Sequence, residues 1–406
     1  METLKIIIIQ ETNWLDRNVI HQHHLAERLA KRGHQIVIVD YDILWPTRSQ
    51  RKIYRGRQIF EGVNRVIDGV SLDVIRPATV QIPIVCHLSW AVNSIKELRA
   101  LMIDFKPDVV IGLTLTNSNT IASILKDGDI PYISMVLEPY HTMVPQKYLQ
   151  WIARLAENRA LSNTDRVLVF TPQMQDYVFR SGMPTNRVTV LKTGVSLNLF
   201  HPNQDGTEQR QALGISRQAW VLFFMGWLYD FSGLREIVRT IGESPEILQG
   251  AYFVIVGDGD LYDELNDFVA EKNLGRNVIL TGRKPYSEIP SLVAMADVCL
   301  MPSLENETTR DIVPMKVYEY LAAGKPMVAA DLPGMQAEFG RNSGILYAED
   351  PIDALKKAIW LKSNPDQVDS RSKAGRRTAE QNADWEKTTD TLEELLFESI
   401  DRSTAP

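Results

Sequence analysis

Unbroken apolar runs alternate with stretches of helical spacing along nearly the whole chain. Lys5–Ile9 is such a run, and Val19–Arg32 then sets Ile20, Leu25 and Leu29 at helical intervals until Gly33 closes the helix. Gln35–Val39 returns to strand. This predicts a βαβ unit, and strands without polar alternation belong to a parallel sheet covered on both faces. Asp108–Gly112, Pro131–Leu137, Arg166–Phe170 and Arg187–Leu191 continue the pattern.

Residues His201–Ser216 are polar, contain Pro202, Gly206 and Gly214, and interrupt the periodicity as a linker does. A second alternation follows, with Trp220–Met225, Tyr252–Val256, Asn277–Leu280, Val298–Met301 and Pro326–Ala330 as strands, each leading into a polar or glycine-bearing turn. The expected fold is α/β, with two doubly wound Rossmann-like domains, 1–198 and 199–384, facing a central cleft. A C-terminal helix, about 385–406, is expected to pack back on the first domain. Open sheets of this kind bind ligands outside the carboxyl ends of their strands.

The length of 406 residues supports two cores rather than one. Two cysteines, Cys86 and Cys299, without ligand-like spacing, argue against a disulfide framework and against structural zinc. Ile6–Ile9 is too short for a signal-peptide core, and no window approaches the roughly 20 apolar residues of a membrane span. A cytoplasmic location is expected. The net charge of −7 is unevenly spread, with 23 Lys/Arg against 18 Asp/Glu in residues 1–198 and 21 against 33 in 199–406. That asymmetry admits an anionic partner on the first domain.

The stretch from Met301 to Pro326 carries the most chemistry. Pro314 suits the first turn of a helix that runs to Ala323 and stops at Gly324, directly after a long loop at a strand end. Backbone N–H groups at about Met315 and Lys316, with the Lys316 ammonium, would form a site for a diphosphate. Glu319, set back in the second turn, would accept hydrogen bonds from both hydroxyls of a ribose. A first-turn acid and base that merely complement the helix dipole are the plain alternative.

Here the chain resembles the retaining glycosyltransferases of family 4, of GT-B fold, in the branch whose helix reads P-x-K-x-x-E-Y-x-A-x-G-K-P. Gly33-His34, Val190 through Pro202, Val256-Gly257-Asp258-Gly259, Val278–Gly282, Ala296-Asp297-Val298 and Met301-Pro302-Ser303 resemble further signposts of that family in order. The resemblance implies transfer of a sugar from a nucleotide-diphosphate donor to a glycan, lipid-linked or small-molecule acceptor, with retention and without a metal ion. It implies no cofactor and no nucleic acid partner.

In the family's paired glutamates, the second matches Glu319 and the first falls at Asp311, one methylene shorter, so that Glu305 or Glu307 is an alternative. Gly226 through Leu234 stands where many members carry an Arg and a Lys on the diphosphate, and neither cation is present. Gly226, the amides and hydroxyl at Ser232 and Gly233, and the cations Arg283 and Lys316 are the substitutes. Lys284 beside Arg283 reads equally well as part of a basic turn. Glu138 and His141, after a strand of the first domain, resemble the family's acid or histidine that orients hydroxyls.

Two patterns are set aside. Gly257-Asp258-Gly259 is followed by Tyr262 where a dinucleotide fingerprint has its third glycine, and His21, His23 and His24 lack a supporting ligand from a strand. An epimerase of the same fold and a non-catalytic partner subunit remain rival readings. Finally, Arg48, Arg51, Lys52, Arg55 and Arg57 fall within ten residues that hold no acid, which makes 48–57 either a solvated loop or a contact with an anionic membrane.

Overall fold

The computed structural model describes residues 2–42, 53–82, 85–113, 116–137, 139–144 and 147–404. It divides into two compact units, one of residues 1–192 with 386–406 and the other of residues 193–385.

The first unit is built on an eight-stranded sheet whose spatial order is Val188–Val190, Arg166–Val169, Tyr132–Val136, Val109–Leu113, Lys5–Gln10, Gln35–Val39, Leu72–Arg76 and Gln58–Val63. All neighbours are parallel except the last pair. Ile6, Ile7 and Ile9 are fully buried, as strands covered on both faces require. Leu72–Arg76 and Gln58–Val63 are strands that the apolar pattern does not announce. Asp73 interrupts the former, and the latter is an exposed edge.

From Glu386 onward the helix Trp385–Thr404 belongs to this first unit. Arg32 bonds Glu386, Asp390 and Glu393, His34 Nε2 lies 2.8 Å from Glu393, and Arg166 reaches Glu398 at 2.6 Å. Glu393 is held below the usual carboxylate range, because the hydrogen bonds and charges of Arg32 and His34 outweigh its burial.

The second unit is a six-stranded, all-parallel sheet in the order Val278–Leu280, Tyr252–Val256, Val221–Met225, Val298–Met301, Met327–Ala330, Ile345–Ala348. Alternate residues of each strand feed two cores. Phe223, Met225, Cys299 and Met301 pack with Val317, Tyr320 and Leu321 of one layer of helices, and Leu222, Phe224, Val298 and Leu300 pack with Leu234, Ile237 and Leu355 of the other. This is a doubly wound domain. His201–Ser216 is not simply a linker, for Thr207–Ala212 is helical and Arg210 bonds Met295, Ala219 and Asp297 within the second unit.

Candidate active site

In the second unit the strand order reverses between Val221–Met225 and Val298–Met301, and crevices at such reversals bind ligands at the carboxyl ends. Gly226 follows the first of these strands. Its φ is +138°, its N–H bonds Val256 O at 2.9 Å, and a Cβ there would stand 3.0 Å from Lys316 Nζ. Ser232 is buried with its Oγ unpartnered. Gly233, at φ +76°, opens the helix Leu234–Glu243, and any Cβ there would collide with the carbonyl oxygen of Pro302.

The helix expected from Pro314 begins one residue later. Pro314 is extended, at ψ 139°, and caps Met315–Ala322 while Val317 N–H bonds its carbonyl, so the first helical amides are those of Met315 and Lys316. The stop also shifts by one residue, because Ala323 is the C-cap before Gly324 turns at φ +65°. Tyr320 OH accepts from Met225 N–H at 2.8 Å and fixes this helix to the end of the first strand, while Tyr318 OH donates to Glu338 at 2.6 Å.

Lys316 Nζ lies 4.0 Å above the Phe224 ring, and among the described residues no hydrogen-bond acceptor satisfies it. Burial pushes the ammonium down to about 7 against the pull of Glu319. Glu319 is 7% exposed and accepts a bond of 3.2 Å from Tyr286 OH. Burial pushes this carboxyl up to about 7, against the Tyr286 bond and the Lys316 charge. Among the described residues the ammonium has no acceptor and the carboxylate a single donor, an arrangement that can take an anion and hydroxyls.

The other expected residues are placed less tightly. Asp311 is half-buried in the loop before the helix, and its side chain makes no hydrogen bond among the described residues. Glu305 pairs with Arg310 at 3.9 Å on the surface, and Glu307 is exposed. Arg283 is exposed in the turn after Val278–Leu280, and Lys284 lies 3.9 Å from Glu288.

In the first unit Glu138 lies outside the described residues. His141, on the turn Tyr140–Met143 after strand Tyr132–Val136, has Nδ1 2.9 Å from Glu157 Oε2. Tyr177 OH donates to the same carboxylate oxygen at 2.8 Å, and its ring stacks on that of His141. Glu157 is 1% exposed and also receives the Tyr140 and His141 amides. With Nδ1 committed, Nε2 is the ring nitrogen left for a substrate hydroxyl.

Glu157, Tyr177, Tyr286 and Phe224 were not among the candidates read from the sequence. Only Glu157 left a signal there, as a lone acid on the face shared by Ala153, Ala160 and Leu161.

His23 Nε2 lies 3.0 Å from Trp14 O and His21 packs on Phe170, while no cluster of three metal-ligating side chains occurs among the described residues. Of the basic run, Arg48, Arg51 and Lys52 lie outside the described residues. Arg55 pairs with buried Asp42, beside the Arg76–Asp40 pair, and Arg57 pairs with Glu97 at 2.7 Å. Among the described residues, no helix is long and apolar enough to cross a membrane.

The family model "Glycosyl transferases group 1" matches residues 205–380, and "Glycosyl transferase 4-like domain" matches 19–194. The chain is a glycosyltransferase built of these two domains. This glycosyltransferase is 24% identical over 325 residues to TuaC of Bacillus subtilis (strain 168), named for teichuronic acid biosynthesis, covering 77% of this chain and 76% of that one. It is 24% identical over 223 residues to the UDP-Gal:α-D-GlcNAc-diphosphoundecaprenol α-1,3-galactosyltransferase of Escherichia coli, covering 53% and 55%. Its fold matches the solved sucrose-phosphate synthase of Thermosynechococcus elongatus with a TM-score of 0.77, at 17% identity and coverage of 98% and 100%.

Proposed function

We propose that this glycosyltransferase moves a hexose from a nucleotide-diphosphate donor to a lipid-linked saccharide, with retention of configuration and without a metal ion. The observation that carries the donor reading is the unsatisfied Lys316 ammonium beside Glu319 at the strand-order reversal of the second unit.

The diphosphate takes the Met315 and Lys316 amides, the Lys316 ammonium and the Ser232 hydroxyl. Together these replace the missing Arg and Lys of the turn after Met225. Glu319 takes the ribose hydroxyls, held in place by Tyr286. His141, oriented by Glu157 and Tyr177, takes a sugar or acceptor hydroxyl through Nε2. Asp311 is assigned to the sugar, where its free carboxylate can accept hydroxyl hydrogen bonds. Positioning and electrostatic stabilisation of the departing diphosphate supply the rate, and no protein nucleophile is required.

A uridine donor is favoured, because the Escherichia coli relative is named for UDP-Gal and for an acceptor on diphosphoundecaprenol. A membrane-borne acceptor agrees with the basic composition of the segment 48–57 and with reaction at the cytoplasmic leaflet.

Incubating the chain with UDP-hexoses and a polyprenyl-diphosphate saccharide, with and without EDTA, tests this reading. Equal turnover in EDTA and a product with the donor's anomeric configuration by NMR are expected. Loss of turnover restored by Mn²⁺ or Mg²⁺, or an inverted anomer, would overturn it.

A further inference from the structure

The helix Gln150–Ser162, which supplies Glu157 to His141 from its inner face, turns a different kind of surface to solvent. Trp151, Ile152 and Leu155 share one face of this helix, and Tyr148 precedes them on the short 3-10 turn Lys147–Leu149. Tyr148, Trp151, Ile152 and Leu155 are 73%, 63%, 48% and 60% exposed. Four large exposed apolar side chains within eight residues exceed the scattered exposure normal for a soluble surface and mark a contact face.

Charge selects its occupant. Lys147, Arg154 and Arg159 are exposed around this face, and Glu157, the sole acid between Pro139 and Thr164, is buried. A second copy of the chain seated here would bring these cations against their own kind across a twofold axis. Anionic lipid headgroups would meet them favourably, with Tyr148 and Trp151 at the depth where amphipathic rings settle and with Ile152 and Leu155 in the acyl boundary.

We infer that this face seats the chain on an anionic lipid surface. The inference deepens the lipid-linked acceptor reading and rests on it. Because Glu157 and this face occupy opposite sides of one helix, seating holds His141 roughly one helix diameter, about 10–12 Å, from the headgroups. That is a distance suited to a sugar carried on a membrane-anchored diphosphate.

The test is sedimentation of the full chain with vesicles of phosphatidylcholine and phosphatidylglycerol in equal parts, and with phosphatidylcholine alone, at low ionic strength. The unaltered chain is expected to pellet with the mixed vesicles and poorly with the neutral ones. Trp151→Ser with Leu155→Ser should lower partitioning onto the mixed vesicles by at least about tenfold. Lys147→Gln with Arg154→Gln and Arg159→Gln should remove the preference for anionic lipid. Both variants should keep the circular dichroism spectrum and nucleotide affinity of the parent. Unchanged pelleting of the Trp151/Leu155 variant would overturn the inference. So would loss of pelleting only when Arg48, Arg51 and Lys52 become Gln, or a dimer in sedimentation velocity that Trp151→Ser abolishes. Failure of the donor reading would appear separately, as absent nucleotide binding, since pelleting needs no turnover.

Discussion

Replacing Glu319 with glutamine is expected to weaken binding of the nucleotide-diphosphate donor by at least about tenfold and to leave the fold intact. The carboxylate is 7% exposed and among the described residues takes one hydrogen bond, from Tyr286, so its remaining lone pairs are open to ribose hydroxyls. Charge-assisted bonds of this kind contribute roughly 1.5–3 kcal/mol each, and the amide gives up charge and one acceptor. Stability should move the other way. Burial raises the folded carboxyl from 4.5 to about 7, so its contribution is fully present below the unfolded value and is lost as pH rises through about 7. The glutamine variant escapes that loss and should melt no lower than the parent at mildly alkaline pH. Titration calorimetry with the donor nucleotide, paired with thermal scans, checks both halves. Unchanged donor affinity would remove Glu319 from the site.

Gly233→Ala is expected to be a strongly damaging single-methyl change in the second unit. Gly233 combines φ +76° with direct contact of the would-be Cβ on the Pro302 carbonyl oxygen. Left-handed strain and a backbone collision together place the cost at about 3 kcal/mol or more. For a unit of this size that corresponds to a melting temperature lower by roughly 6–12 °C. Gly182→Ala is the control, because φ there is +94° but nothing lies within 4 Å of the new methyl. It should cost only about 1 kcal/mol, the strain alone. Equal melting temperatures for the two variants would show that the Gly233–Pro302 contact does not shape the turn before Leu234–Glu243.

The parts of the fold that the sequence announces are those with local causes. Ile6–Ile9 and Val221–Met225 are unbroken apolar strands because both faces are covered, and their helices end at glycines such as Gly33 and Gly324. Gln58–Val63 escapes because it is an antiparallel edge with polar residues exposed, and Ile345–Ala348 is a further strand absent from that reading. The candidate site divides in the same way. Lys316 and Glu319 are legible from the spacing of one helix. Tyr286 joins Glu319 across 33 residues of sequence, and Tyr177 joins Glu157 across 20, so neither partnership leaves a local trace. Phe224 reads as one more strand residue, and only the folded chain brings Lys316 over its ring. Arg55 and Arg57 look like free cations in a basic run, yet their acids, Asp42 and Glu97, lie 13 and 40 residues away.

If Lys316 and Glu319 hold a nucleotide diphosphate, titrating UDP, GDP and ADP into the full chain and into Lys316→Met from about pH 6 to about pH 9 will show both the binding and its pH dependence. Bound phosphate favours the protonated ammonium, and the free lysine titrates at about 7, so binding takes up a proton and affinity falls as pH rises above that value. At least one nucleotide is expected to bind, and Lys316→Met to lose at least about tenfold in affinity near neutral pH together with the alkaline decline. Binding of equal strength and equal pH dependence in parent and variant, or no binding of any of the three nucleotides to the parent, would contradict this reading.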